Sequence, residues 1–134
     1  MRILVWGGLL LLIATSLLFP KPYRPPAAVL RAHAKSDVIQ LCQALKQYHV
    51  EYRAMPPGNH AGILAALRGN NPRRIVFFET LPEKFNTRGQ LIDPWGTPYQ
   101  IDVSNPAFPW AYSFGRDTRD DGGAPGSDDI TSWR

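Results

Sequence analysis

The feature that most limits the fold is a stretch of 27 residues, 27–53, without Gly or Pro, in a chain that carries 11 Gly and 13 Pro. Apolar side chains recur within it at steps of three and four: Val38, Leu41, Cys42, Leu45, Tyr48 and Tyr52. That spacing places them on one face of a helix. Because Pro removes a backbone donor and ends helices, the Pro-rich remainder can form only shorter elements. The sequence therefore predicts one long amphipathic helix with small elements beside it.

Several shorter elements follow. Asn59 is a suitable N-cap for a small helix over residues 61–68, which Gly69 ends. The apolar run 75–78 is either a strand or an irregular core segment. Alternating apolar and polar side chains predict further strands over residues 90–92, 99–103 and 110–114. A long helix, a small helix and then a small antiparallel sheet make an α+β fold.

The N-terminus begins with an uncharged run over residues 3–19. A helix needs about 20 apolar residues to cross a membrane, with ~17 as the lower limit, so this run is just long enough. It is a transmembrane signal-anchor, a cleaved secretory signal or a buried core helix. No small-x-small cleavage triplet follows it directly, which favours the uncleaved anchor over residues 1–19. Residues 20–26 form a Pro-rich, polyproline II-like linker, and residues 27–134 form the folded domain.

The charge pattern bears on membrane orientation in two ways. Three basic residues follow the apolar run and only Arg2 precedes it, so the positive-inside rule favours a cytoplasmic C-terminal side. Residues 93–134, however, carry seven Asp or Glu against three Lys or Arg, whereas residues 1–92 carry four against twelve. An acidic, Gly-rich tail suits a calcium-replete exterior. We expect a single-pass membrane protein whose C-terminal domain faces the exterior.

Composition argues against several function classes. The Lys and Arg residues are scattered rather than clustered, which argues against nucleic-acid binding. Cys42 is the single cysteine, so no intramolecular disulfide forms, and its place on the apolar helix face predicts a small buried hydrophobe. The three His residues lack the spacing of a zinc motif. We find no recognisable nucleophile and base, so an enzyme such as a small hydrolase is not expected.

Two motifs near the C-terminus give further evidence on fold and function. The first is a turn in which Asp93 can bond backbone N–H groups, Pro94 presets φ and Gly96 permits a left-handed residue. Trp95 and Tyr99 would pack this corner against the helix, although a sugar-binding Trp is the alternative.

The second motif is an acidic loop with five carboxylates: Asp117, Asp120, Asp121, Asp128 and Asp129. Such crowded charges repel one another unless they are solvated or neutralised by a cation. Interspersed glycines let the backbone turn tightly and present carbonyl oxygens. Calcium accepts about six to eight oxygen ligands on a flexible loop, and the spacing is not that of an EF-hand. From composition alone, a solvated acidic loop and a calcium site both remain open.

Taken together, these motifs resemble the C-terminal half of the major pseudopilins of type II secretion, a type IV pilin-like family. The family loop has the form Leu-Tyr-Ser-x-Gly-x-Asp-Gly, followed by Gly-Gly and by acidic residues before Ile. The matching residues here are Tyr112, Ser113, Gly115, Asp117, Gly122, Gly123, Asp129 and Ile130, together with the Asp93 turn. Thr118 stands in place of a Gly, and Ser127 in place of the usual Asp.

The resemblance implies a structural, non-enzymatic role in a type II secretion or type IV pilus-like system. Its partners would be other pseudopilin-like subunits, the secretion machinery and the membrane. The resemblance further implies a single-pass protein of the inner membrane with its C-terminal domain periplasmic or extracellular. It also implies Ca2+ bound by the side chains of Ser113, Asp117, Asp128 and Asp129 and by carbonyls of residues 111–115. Calcium would then hold the acidic loop against the sheet.

The chain departs from the family near its start. The family has a Gly-Phe block and a Glu five residues into the mature chain, which directs assembly. Here no Glu precedes Glu51, and four prolines separate the apolar run from the long helix. The departure leaves a second interpretation open, a stand-alone exported binding module that keeps the pilin-like fold without filament assembly.

Overall fold

The computed structural model describes residues 20–134, and the expected membrane helix over residues 3–19 lies outside this range. Within residues 20–134, none of the helices combines the length and apolar character needed to cross a bilayer. The elements are α1 (Ala27–Tyr52), α2 (His60–Leu67), a 3-10 helix (Pro82–Lys84), β1 (Gln100–Asp102), β2 (Trp110–Ser113) and β3 (Ile130–Thr131).

Helix α1 forms as the sequence predicts, to within one residue at its end. Pro26 precedes it with φ −57° and ψ 150°, and the Pro26 carbonyl accepts hydrogen bonds from the N–H groups of Val29 and Leu30. The helix stops at Arg53, which takes the left-handed conformation (φ 53°) and donates its N–H to the His49 carbonyl at 2.8 Å. The extended backbone at Pro26 is that of polyproline II, which agrees with the predicted linker.

The apolar face of α1 supplies the centre of the core. Val38, Leu41 and Leu45 are fully buried, and Cys42 is buried beside them, as predicted. Tyr48 packs against Tyr52 with 4.6 Å between ring centroids and a 48° tilt between the rings. Tyr52 is only partly buried, and its hydroxyl donates to Asn71 Oδ1 at 2.6 Å. The last turn of α1 is therefore held by aromatic packing and a polar contact rather than by full burial.

The sheet is antiparallel in the order β1-β2-β3, so β2 is the central strand. Ile101 pairs with Ala111, and Ser113 pairs with Ile130. Helix α1 packs against β2 and β3, and the side chains of Ala111 and Ile130 join the core. The predicted architecture, a long helix on a small antiparallel sheet, is confirmed and is pilin-like. Strand β3 was not predicted.

The segment over residues 90–92 is not a strand, contrary to the prediction, because it makes only isolated bridges, Phe85 with Leu91 and Ile92 with Pro98. The run 75–78 is irregular in the same way, with a single bridge between Arg68 and Val76. These loops are nevertheless secured to the core, since Leu91 is fully buried.

Helix α2 is positioned by two side chains at its start. Asn59 Oδ1 accepts the Gly62 N–H at 3.0 Å, which confirms the predicted cap. His60 Nε2 accepts the N–H of Leu91 at 3.2 Å, and burial lowers the pKa of His60. The neutral imidazole therefore ties α2 to the 90–92 loop.

Candidate functional site

The Asp93 corner is joined to the central strand by a buried carboxylate. Asp93 Oδ1 accepts the N–H groups of Trp95 and Thr97 at 3.0 and 2.9 Å, and Oδ2 accepts the Ser113 hydroxyl at 2.6 Å. Ser113 Oγ in turn accepts the Gly115 N–H at 3.0 Å. Asp93 and Ser113 are both buried, so the bond between them is shielded from water, whereas the bonds from Trp95 and Thr97 are partly buried. The corner fixes where β2 ends and where the acidic loop begins.

A second buried carboxylate, Asp37, links α1 to the rest of the fold. The Tyr99 hydroxyl donates to Asp37 Oδ2 at 2.7 Å, and Lys84 Nζ donates to both carboxylate oxygens at 3.0 and 3.1 Å. Burial and the neighbouring Asp37 carboxylate raise the pKa of Tyr99 far above its usual range. Sequence reasoning missed Asp37, although an acidic residue one turn before Leu41 on the apolar helix face was a visible signal.

Asp129 is the most unusual carboxylate of the acidic loop. Its Oδ2 accepts the N–H groups of Gly123 and Asp121 at 2.7 and 3.1 Å. Its Oδ1 is buried, and no hydrogen-bond donor among the described residues reaches it. Burial raises the pKa of Asp129, although the two backbone N–H groups oppose that shift. A buried, unpartnered carboxylate oxygen is costly and is satisfied by a proton, a water or a cation.

The other carboxylates organise the loop by bonding its backbone. Asp128 Oδ2 accepts the Asp117 N–H at 3.2 Å, which brings the two halves of the loop together. Asp117 Oδ1 accepts the Arg119 N–H at 2.9 Å. Thr118 lies between them with φ 59°, a conformation that is costly for a β-branched residue and that a Gly would adopt freely.

Gly115 is required by a close backbone approach. A Cβ atom on Gly115 would lie 2.0 Å from the Asp128 carbonyl oxygen, and the residue has φ 75°. The turn that leaves β2 is therefore packed directly on the backbone that enters β3. This contact explains why the position two residues after Ser113 is a Gly.

The four predicted calcium ligands fall at the two ends of one loop between β2 and β3. The structure brings Asp117 next to Asp128, and Asp129 follows with its buried free oxygen. Ser113 points into the corner and already bonds Asp93 and Gly115. Within residues 20–134, no group of three or more His, Cys, Asp or Glu residues is arranged to hold a metal ion. The unpartnered oxygen of Asp129 fits a cation, and the calcium site stays a prediction.

Comparisons with known proteins agree with this fold and loop. The family model described as Type II secretion system (T2SS), protein G matches residues 27–133. Type II secretion system core protein G of Pseudomonas aeruginosa is 29% identical over 128 residues, which cover 90% of this chain and 83% of that relative. The chain therefore belongs to the type II secretion system protein G family, the structural family of major pseudopilins.

Proposed function

We propose that this protein is a pseudopilin subunit of a type II secretion system, held in the inner membrane by residues 3–19. Its domain over residues 27–134 lies on the periplasmic or extracellular side, and calcium stabilises its acidic loop. The observation that carries the proposal is the pilin-like packing of α1 on the β1-β2-β3 sheet within the matched region.

The buried polar groups of the domain support a structural role. Asp93 and Asp37 each join two or three elements through hydrogen bonds that use both carboxylate oxygens. Ser113, which lies in the Tyr-Ser-x-Gly loop pattern, is fully buried and donates its hydroxyl to Asp93. Such a hydroxyl is not open to a substrate. These buried polar groups hold the elements of the domain together, which suits a structural subunit.

The proposed calcium ligands are the side chains of Asp117, Asp128 and Asp129 with nearby backbone carbonyls, and Ser113 from the Asp93 corner. Since no three such carboxylates of residues 20–134 are already arranged to hold a metal ion, binding would have to draw these side chains together. A divalent cation would neutralise the crowded carboxylates and tie the start of the loop to its end. An ion that binds only the folded loop stabilises the fold by mass action. The buried, unpartnered Oδ1 of Asp129 supports this assignment, because a carboxylate oxygen without a hydrogen-bond donor can be satisfied by a cation.

The proposed anchor would be joined to the domain by residues 20–26. Residues 20–26 are exposed and have no regular secondary structure. At ~3.1 Å per residue in polyproline II, seven residues span about 22 Å. This stiff spacer would hold the domain away from the bilayer surface.

The test is made with the full chain in a bacterium that carries the secretion system. Protease added to spheroplasts should degrade the domain, and protease added to intact cells should not, if the domain is periplasmic. A lysine-reactive crosslinker should give a ladder of multimers between two differently tagged copies. Intact mass of the membrane form shows whether residues 3–19 are retained.

The alternative, a stand-alone exported module, has a specific observation in its favour: the prolines that separate residues 3–19 from α1. A single crosslinked species with no ladder, from a protein that is exported and folded, would support that alternative. A domain that resists protease in spheroplasts would contradict the proposed orientation.

A further inference from the structure

The described part of the chain begins with a run of basic residues that the proposed function does not use. Residues 20–36, which we call the basic segment, contain Lys21, Arg24, Arg31 and Lys35 and no Asp or Glu. The segment comprises the Pro-rich linker and the first turns of α1. Lys21, Arg24 and Arg31 are exposed, and Lys35 is half-buried. Basic residues without acidic neighbours in the sequence form a surface that attracts anions.

The basic segment makes no ion pair within residues 20–134, since the two ion pairs of that range lie elsewhere. Arg31 contacts a backbone group, the Asp128 carbonyl, at 3.5 Å. Lys35 donates to the carbonyls of Thr131 and Arg134. These charges are therefore not neutralised by carboxylates of the described domain.

The acidic loop lies beside the basic segment, as the contact of Arg31 with Asp128 shows, so its charges act on the same surface. Residues 116–134 contain five Asp together with Arg116, Arg119 and Arg134. With the basic segment included, seven basic residues stand against five acidic ones. This end of the domain is net positive, and calcium on the loop would make it more so.

We propose that the basic segment binds the headgroups of anionic phospholipids in the membrane that holds the chain. This inference rests on the proposed function, because it supposes that residues 3–19 form the anchor. Lys21 then lies within about 6 Å of chain from the end of the anchor, and Arg24 within about 16 Å. The bilayer is the anionic surface that the chain itself keeps within reach. It gives these residues a partner on the exterior side, where the positive-inside rule does not expect them.

Headgroup binding changes how the linker lies. Upright and fully extended, the linker puts the start of α1 about 22 Å from the anchor, too far for Arg31 to reach a phosphate group. When Lys21 and Arg24 bind headgroups, the linker lies along the bilayer and Arg31 comes down to it. Each basic residue near an anionic surface favours contact by roughly fivefold, so these three favour it by roughly a hundredfold. Lipid charge therefore decides whether the domain stands off the bilayer or rests on it.

The experiment reconstitutes the full chain in nanodiscs, either of phosphatidylcholine alone or of phosphatidylcholine mixed with phosphatidylglycerol. Both kinds contain the same fraction of a lipid with a nitroxide on its headgroup. A fluorophore is attached at Val29→Cys, in the first turn of α1, in a Cys42→Ala background whose melting temperature is measured alongside. We expect stronger quenching in the discs that contain phosphatidylglycerol. High salt should remove the difference, because it screens exposed charges.

The positional control is the same fluorophore at Val50→Cys. Val50 is 80% exposed and lies near the other end of α1. It is about 32 Å along the helix from Val29. We expect weak quenching there in both kinds of disc, because the far end of α1 stays away from the headgroups.

Substitutions then test the charges. In the test variant, the exposed basic residues of the segment are changed: Lys21→Gln, Arg24→Gln and Arg31→Gln. In the matched control, three exposed arginines elsewhere are changed: Arg53→Gln, Arg74→Gln and Arg88→Gln. Both variants lose the same net charge, so only the position of the loss differs. The test variant should be quenched alike in the two kinds of disc, and the control should keep the wild-type difference.

Three results would overturn the inference: equal quenching at Val29 in the two kinds of disc, equal loss of the difference in both variants, or a larger effect of phosphatidylglycerol at Val50 than at Val29. If the chain remains in the discs in those cases, the proposed anchor stands and the headgroup assignment alone fails. If the chain does not enter the discs, both fail.

Discussion

Replacement of Asp129 by Asn should change stability in opposite directions with and without calcium. Asp129 Oδ2 accepts two backbone N–H groups, and the amide oxygen of Asn can keep both bonds. The substitution removes a negative charge that burial disfavours and that lies near Asp120 and Asp121. In chelator, Asp129→Asn should therefore be at least as stable as the wild type, because removal of the charge outweighs the cost of placing the amide NH2 at the buried Oδ1 position, although most buried substitutions destabilise a protein.

With calcium the order should reverse. Weak extracellular calcium modules bind with dissociation constants of about 10⁻⁴–10⁻³ M. If calcium binds only the folded protein, a concentration of about ten times the dissociation constant raises the free energy of unfolding by about 1.4 kcal/mol. For a domain of this size that is a rise of roughly 5 °C in melting temperature. The variant should lose most of this rise, because it lacks the buried anionic oxygen.

The assay is thermal melting of the full chain in detergent, followed by far-ultraviolet circular dichroism, in chelator and then in calcium. Asp102→Asn, in β1 and away from the acidic loop, is the matched control and should respond to calcium like the wild type. Equal calcium shifts in Asp129→Asn and the wild type would refute the ligand role of Asp129. If calorimetry of the wild type also shows no heat at millimolar calcium, the loop is a solvated acidic turn.

Three further predictions concern the fold that carries the site. Leu45→Ala should lower the free energy of unfolding by about 2–5 kcal/mol in denaturant titration, because Leu45 is fully buried in the core; a loss below about 0.5 kcal/mol would contradict the core assignment. Gly115→Ala should destabilise the domain far more than Gly96→Ala in the same titration. Both glycines have positive φ, but only a Cβ on Gly115 would clash with the Asp128 carbonyl. Equal losses of stability in the two variants would mean that backbone strain from positive φ, and not this clash, sets the cost. Because the pKa of His60 is lowered in the fold, the stability that its neutral form contributes is complete above the unfolded pKa of ~6.5. It is lost as pH falls through the lowered pKa. His60→Gln should reduce the dependence of the free energy of unfolding on pH between about pH 7.5 and 5. If that dependence is the same as in the wild type, His60 is not its source.

The long helix was predictable because its signal repeats over many turns. Steps of three and four from Val38 to Tyr48 define one face, and that face is buried. Strand β3 has only two residues, Ile130–Thr131, so it carries no alternation that could be read. It is a strand because Tyr112 and Ser113 pair with it and because α1 covers it. Those causes are tertiary and leave no local pattern.

The candidate site was also predictable only in part. The carboxylates of the loop could be recognised from the sequence, because five of them lie close together. The Gly at position 115 was also recognisable, and the structure shows that it is required by contact with the Asp128 carbonyl. The bond between Ser113 and Asp93 joins residues twenty positions apart and could not be read from either motif alone. Ser113 was therefore predicted as a calcium ligand without any sign that its hydroxyl also secures the corner.

The contact between α1 and β3 has a consequence for the order of folding. Lys35 Nζ donates to the Thr131 carbonyl at 2.6 Å, across 96 positions of sequence, and also to the Arg134 carbonyl. Contacts of such separation slow folding, because a long loop must close before they form. A chain that crosses a membrane with its N-terminal part first would present α1 early and β3 last. The sheet could then close only when translocation is complete.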